Sequence, residues 1–171
     1  MEILDDSISK ETLTEQEQDW NLFIGDQANY YIPIWRKIQD GKYMHFNIPA
    51  FFLWVAWAGY RKMYAVYLIL AVGRSLIVEY IPTLLGIGQQ FQALLAAFFF
   101  LIFIAWGLFA NYIYYNHAQK KIQAIKAQHL SQTEQEKAII AAGNTDLVFP
   151  IVIGLVLMGI SFSFQHLYGT L

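Results

Sequence analysis

The sequence predicts an all-α integral membrane protein: three transmembrane helices, an interfacial or re-entrant aromatic helix, and short cytoplasmic helices. Three observations predict it. The 171 residues are 57% hydrophobic and only 14% charged, where a soluble domain is nearer a quarter charged. The mean hydropathy is +0.37. Several apolar runs approach the length needed to cross a hydrocarbon core of ~30 Å.

The first 13 residues are polar and acidic and are expected to be disordered. Residues 1–20 hold seven acids and one base, Lys10, which excludes a basic arm for nucleic acid. These carboxylates read as a solvated tail. The chain has no cysteine, so disulfides, thiolate metal sites and cysteine nucleophiles are excluded. No basic start runs directly into an apolar core, so the first true span is expected to act as an uncleaved anchor.

A cytoplasmic helical cap is expected over residues 14–46. Thr14 and Glu17 fit a capping box, Trp20, Phe23 and Ile24 share one helical face, and Gly25 is a stop. In the following helix Ala28, Tyr31, Ile32 and Trp35 repeat at i, i+3, i+4, i+7. Pro33 lies inside it and predicts a kink, or a late start near Asn29.

The membrane domain is expected over 47–171. Asn47 is an N-cap for an aromatic helix over 48–60, with Pro49 in its first turn. At ~1.5 Å per residue this helix reaches only ~20 Å, too short to span. It is expected to lie near headgroups with Phe51, Phe52, Trp54, Trp57 and Tyr60, ending at a boundary marked by Arg61 and Lys62. Spans are expected over 63–81, 91–115 and 147–168, the first ended by Pro82 and the last capped by Thr145. Between the second and third lies a cytoplasmic helical loop, 116–145. Its apolar stripe is Ile122, Ile125 and Leu130, and Ser131 with Glu134, or Thr133 with Glu136, caps a short helix ending at Gly143.

Ten of the eleven cations (Lys10, Arg36, Lys37, Lys42, Arg61, Lys62, Lys120, Lys121, Lys126 and Lys137) fall on one side of this map. The positive-inside rule then expects a cytoplasmic N-terminus and a periplasmic C-terminus, as three spans require. Arg74 is the eleventh. It lies twelve residues beyond Lys62, ~18 Å into the core. A lipid-facing Arg there costs at least ~2.5–3.5 kcal/mol, so it should find a polar partner or reach outward. Glu79 is the nearest charge, but five residues on an α-helix put the two side chains ~140° apart, which makes them poor partners. Ser161 and Ser163 of the third span come to the same depth. Arg74, Glu79, Ser161 and Ser163 form the expected intramembrane polar site. No nucleophile–base pair, Walker loop or GxGxxG is present, and the four histidines are scattered, so no catalytic residue, cofactor or metal is expected.

The stretches "FIGDQANYYIPIWRKI", "FNIPAFFLWVAWAGYRKMY", "ANYIYYNHAQKKI" and "AAGNTD", in that order, resemble the bacterial family known as domain of unknown function 2628. The match covers about Phe23 to Asp146, and "YRKMY" at Tyr60–Tyr64 is its most specific element. Asp26 stands where the family often has Pro. The resemblance implies a small multi-pass inner-membrane protein and no assigned reaction. Its residues concentrate in two clusters expected to touch at the cytoplasmic face: Asn47, Trp54, Tyr60, Arg61, Lys62, Met63 and Tyr64, and Asn111, Tyr115, His117, Lys120 and Lys121. The expected function is a non-enzymatic adaptor or regulator of an envelope assembly, docking a partner or anionic lipid at that face. The alternative is a small oligomeric transporter or channel subunit using Arg74 and Glu79. Expected partners are membrane lipids and a membrane protein or a second copy, with no nucleic acid.

Overall fold

The computed structural model describes residues 13–87 and 89–168. The expected disordered tail lies outside them except for Leu13. All regular structure among the described residues is helical. Its contacts divide the chain into two units. The first holds the described residues up to His45 and Asn111–Asn144, and the second holds Phe46–Ala110 and Thr145–Leu171. Residues 116–144, expected as a loop of the membrane domain, thus pack with the N-terminal helices. One long helix, α7 (Gln89–Lys126), contributes to both units.

In the first unit α1 spans Glu15–Ile24 and starts on the expected capping box, with Glu17 N–H donating to Thr14 Oγ1 and Thr14 N–H to Glu17 Oε2. Gly25 ends it at φ +67°, a left-handed conformation that favours glycine. A 3-10 turn, Gly25–Gln27, leads into α2, Ala28–Gln39. The helix starts late, as Pro33 suggested, and continues through the proline. Its buried side chains are Ala28, Tyr31, Ile32, Trp35 and Ile38, the predicted stripe extended by one turn. α8, Gln132–Gly143, starts on Ser131 and Glu134.

These helices enclose an aromatic core with the end of α7. Trp20 and Trp35 meet edge to face at 5.4 Å, and Tyr114 lies 5.2 Å from Tyr31 and 5.4 Å from Trp35. Trp20, Phe23, Tyr31, Trp35 and Tyr114 are all at most 2% exposed. α1 and α8 approach so closely that a Cβ on Gly143 would overlap the Phe23 carbonyl. The acids of α1 are not a solvated tail: Glu17 pairs with Arg36, and Lys126 holds Glu15 at 3.0 Å and Asp19 at 2.7 Å. The heptad-like spacing of 15 and 19 puts both carboxylates on one face, where the amine at the end of α7 bridges them.

The second unit begins with α3, Ile48–Leu53, capped by Asn47, whose Oδ1 accepts from Ala50 N–H at 2.8 Å. The single aromatic helix expected over 48–60 is in fact two. Trp54, at φ +50°, breaks it, and α4 follows over Val55–Tyr60. A non-glycine residue in that region is costly and must be held by its surroundings. Here Trp54 stacks on Phe103 at 4.8 Å, and Trp106 Nε1 donates to the Ala50 carbonyl at the break, 3.0 Å away. Trp57, expected among headgroups, is instead core, 2% exposed and edge-on to Trp106.

The chain then forms α5, Tyr64–Ser75, a π-helical turn, Leu76–Tyr80, and α6, Ile81–Leu84. The helix runs two residues past Pro82, to Leu84. α7 covers Gln89–Lys126 and α9 covers Val148–Tyr168. Asp146, rather than Thr145, caps α9: its Oδ1 accepts from the N–H groups of Val148 and Phe149 at 2.9 and 3.0 Å. Three helical runs are long and apolar enough to cross a membrane: Tyr64–Leu84, Ala93–Lys126 and a third within Gln132–Tyr168. The described residues are thus all-helical, with three helices suited to crossing a membrane.

Within the second unit α5–α6 and α9 run parallel and in register. Tyr64 Oη donates to Asp146 Oδ2, Tyr67 Oη to the Pro150 carbonyl, and Tyr80 Oη lies 3.2 Å from Ser161 Oγ; the separations along the chain are 82, 83 and 81 residues. Lipid tails are as apolar as leucine, so spans gain little from burying apolar surface against each other. Tyrosine hydroxyls on an otherwise apolar helix supply the specific contacts. α4 closes against this pair at Gly59, where a Cβ would come within 2.8 Å of Pro150 and 2.9 Å of Tyr67.

Candidate functional site

The π-helical turn decides the geometry of the polar site. On an α-helix Arg74 and Glu79 would diverge. In the π turn the repeat is i→i+5, seen in the Ile81 N–H donating to the Leu76 carbonyl. Residues five apart therefore come back to the same side. Arg74 Nη1 and Glu79 Oε1 form an ion pair at 3.0 Å, contrary to the expectation from an ideal helix. The pairing gives the cation of this apolar helix a partner from the same helix.

The pair lines a cavity of about 400 Å³ between α5 and α9, together with Trp54, Tyr67, Ser75 and Ser161. Ser161 thus shares a cavity with Arg74 and Glu79. Ser163 does not: it is exposed, and its hydroxyl donates to the Gly159 carbonyl of its own helix. The two serines are ~200° apart on α9, so only one can face α5. Glu79 is 18% exposed and its Oε2 is buried with no hydrogen-bond partner, whereas Arg74 is 48% exposed. On its other side Arg74 reaches a second cavity of about 350 Å³, lined also by Trp54, Phe99, Phe100 and Phe103. These phenylalanines belong to the apolar part of α7. Sequence reasoning missed Tyr67, Ser75 and Tyr80. The signal available was a tyrosine hydroxyl inside an apolar span, a group that seeks a partner when buried.

The two clusters expected at the cytoplasmic face fall in different units. In the second unit Asn47 is fully buried, its backbone N–H donating to Gly107 O at 2.9 Å. Arg61 is buried, 3% exposed, its guanidinium carbon 5.5 Å from the Tyr60 ring centre. Lys62 follows at φ +55°. This bend lets Tyr60 O accept from Asp146 N–H at 2.9 Å just before Tyr64 takes the Asp146 carboxylate. The "YRKMY" element is thereby a joint between α4, α5 and the start of α9. In the first unit Asn111 is fully buried and its amide donates to the His45 carbonyl at 3.0 Å. Tyr115 packs edge-on against Trp20 and Trp35, and His117 lies beside Phe23. Lys120 and Lys121 are exposed.

Among the described residues no group of three or more His, Cys, Asp or Glu side chains could hold a metal ion. The first unit has its own cavity, about 600 Å³, lined by Glu15, Asp19, Trp20, Gln119 and Lys126. The indole Nε1 of Trp20 and Nε2 of Gln119 are buried there without hydrogen-bond partners.

Neither a curated protein nor a solved structure matches the chain. A family model does match, over residues 15–120, described as a protein of unknown function, DUF2628. That stretch carries α1, the aromatic core, the Trp54 break, the "YRKMY" joint and the Arg74–Glu79 pair, and the chain belongs to the DUF2628 family.

Proposed function

We propose that the protein is a non-enzymatic adaptor or regulator of a cell-envelope assembly, held in a bacterial inner membrane with its N-terminus in the cytoplasm and its C-terminus in the periplasm. The observation that carries this reading is the separate packing of the first unit. Its aromatic core and ion-paired helices give it a fixed polar surface, which a simple anchor would not need. Lys120 and Lys121 stand exposed on that surface and suit an acidic partner or anionic headgroups. Crosslinking in intact cells followed by purification of the full chain tests it. A partner recovered at near-stoichiometric yield, and lost with Lys120→Gln and Lys121→Gln together, is the expected result. Recovery of the chain alone, from cells in which it is abundant, would refute it. Single cysteines introduced at positions 36 and 165 test the orientation: only the second should label from the periplasmic side.

A second reading, a small oligomeric transporter or channel subunit, is favoured by the Arg74–Glu79 pair and Ser161 facing one cavity. It requires flux across liposomes that Arg74→Gln abolishes.

A further inference from the structure

We propose that the Arg74–Glu79 pair binds the headgroup of an aminophospholipid, phosphate on Arg74 and ammonium on Glu79, with an acyl chain lying along Trp54, Phe99, Phe100 and Phe103. The proposal goes beyond both readings above and holds whether or not a partner protein exists.

The pair has matched unused capacity. A guanidinium carries five N–H donors in a planar fork suited to phosphate. The hydrogen bond to Glu79 comes from Nη1, which leaves the donors of Nε and Nη2 for another acceptor. Glu79 Oε2 is a buried acceptor with no protein donor. A buried carboxylate oxygen without a donor is expensive, and an ammonium supplies both charge and hydrogen bonds.

The charges choose the headgroup. Arg74 and Glu79 together are neutral. An anionic lipid would leave one uncompensated negative charge in a medium where that is costly. A zwitterion with a primary amine satisfies both members, and a quaternary amine cannot donate to Glu79. The apolar half of the ligand follows from Arg74 and Trp54, which line the polar cavity and the aromatic one alike. A headgroup on the pair thus places its hydrocarbon directly against the phenylalanines of α7. A lipid also has a way in. Ile77, one turn beyond Arg74, and Phe100, which lines the aromatic cavity, are both exposed, so the site is bordered by surface suited to hydrocarbon.

Native mass spectrometry of the purified full chain in nanodiscs tests this. The probes are phosphatidylethanolamine, phosphatidylcholine and phosphatidylglycerol at equal mole fraction. Retention of phosphatidylethanolamine should exceed that of the other two by about tenfold, a preference in keeping with charge-assisted hydrogen bonds. Arg74→Gln and Glu79→Gln should each reduce it to the phosphatidylcholine level. Equal retention of all three lipids would overturn the proposal, as would preference for phosphatidylglycerol or unchanged retention in either variant. Should a variant fail to fold, the headgroup series on the unaltered chain decides alone.

Discussion

The two units solve opposite problems. In the first, the large side chains face inward, and Trp35 and Tyr114 are fully buried. In the second, many face outward: Phe52 is 74% exposed, Phe162 73%, Ile69 71% and Val148 70%. In water so much exposed apolar surface would be an aggregation hazard. Against hydrocarbon it is the solvated face. The difference teaches where specificity resides. The first unit is held by apolar and aromatic burial, with ion pairs at its edge. The second is registered by a few polar contacts along α5–α6 and α9, and by glycines that allow close approach.

Breaking the first unit's core should have the largest effect. Trp35→Ala should cost about 3–5 kcal/mol, the usual range for removing a buried Trp. Phe162→Ala, of comparable bulk but exposed on α9, should change stability by less than ~0.5 kcal/mol. Thermal unfolding of the two variants in detergent checks the contrast, and equal losses would mean that α9 is buried against something. Next comes Gly143→Ala, where a methyl meets backbone rather than a yielding side chain. A loss of about 1–3 kcal/mol is expected, read by unfolding and by protease cleavage in the α1–α8 region.

Glu17→Gln sharpens the electrostatic side. The hydrogen bond from Arg36, then that from the Thr14 backbone, holds the Glu17 carboxyl below its ordinary value of 4.5. As pH falls the unfolded chain takes up this proton first, so the stabilisation is present above about 4.5 and is lost as pH drops through the folded value. Arg36 is 37% exposed, which screens the pair and limits the effect to about 1 kcal/mol. Unfolding of the variant followed from pH 6 to pH 3 should show a shallower loss than the parent. The smallest effect is expected from Tyr64→Phe, which deletes the hydroxyl on Asp146. About 0.6–1 kcal/mol should be lost, as for other polar contacts between spans, and Ser163→Ala should lose nothing by the same assay.

Much of this was legible in the chain. Capping boxes at Thr14 and Ser131, the stop at Gly25 and the stripe through Trp35 are local, and local rules found them. The intramembrane site was half legible. Arg74 stood out because a charge inside an apolar run is costly wherever it points. Its partnership with Glu79 was illegible, because angular arithmetic assumes an α-helix and the chain makes a π turn there. Ser161 and Ser163 were indistinguishable until α9 took its rotation against α5. The burial of Arg61 and Trp57, and the break at Trp54, likewise depend on what packs around them.

By itself the sequence determined the class of solvent each segment meets, the helix starts and stops, and the presence of one costly cation inside the first span. Those follow from transfer free energies and capping chemistry that act within a few residues. Tertiary structure alone decided which groups share a cavity: the π turn that brings Arg74 onto Glu79, the parallel register of tyrosines along α9, and the grouping of residues 111–144 with the N-terminal helices. These are properties of contacts between residues 19 to 111 positions apart, or of a helix geometry that no single residue dictates.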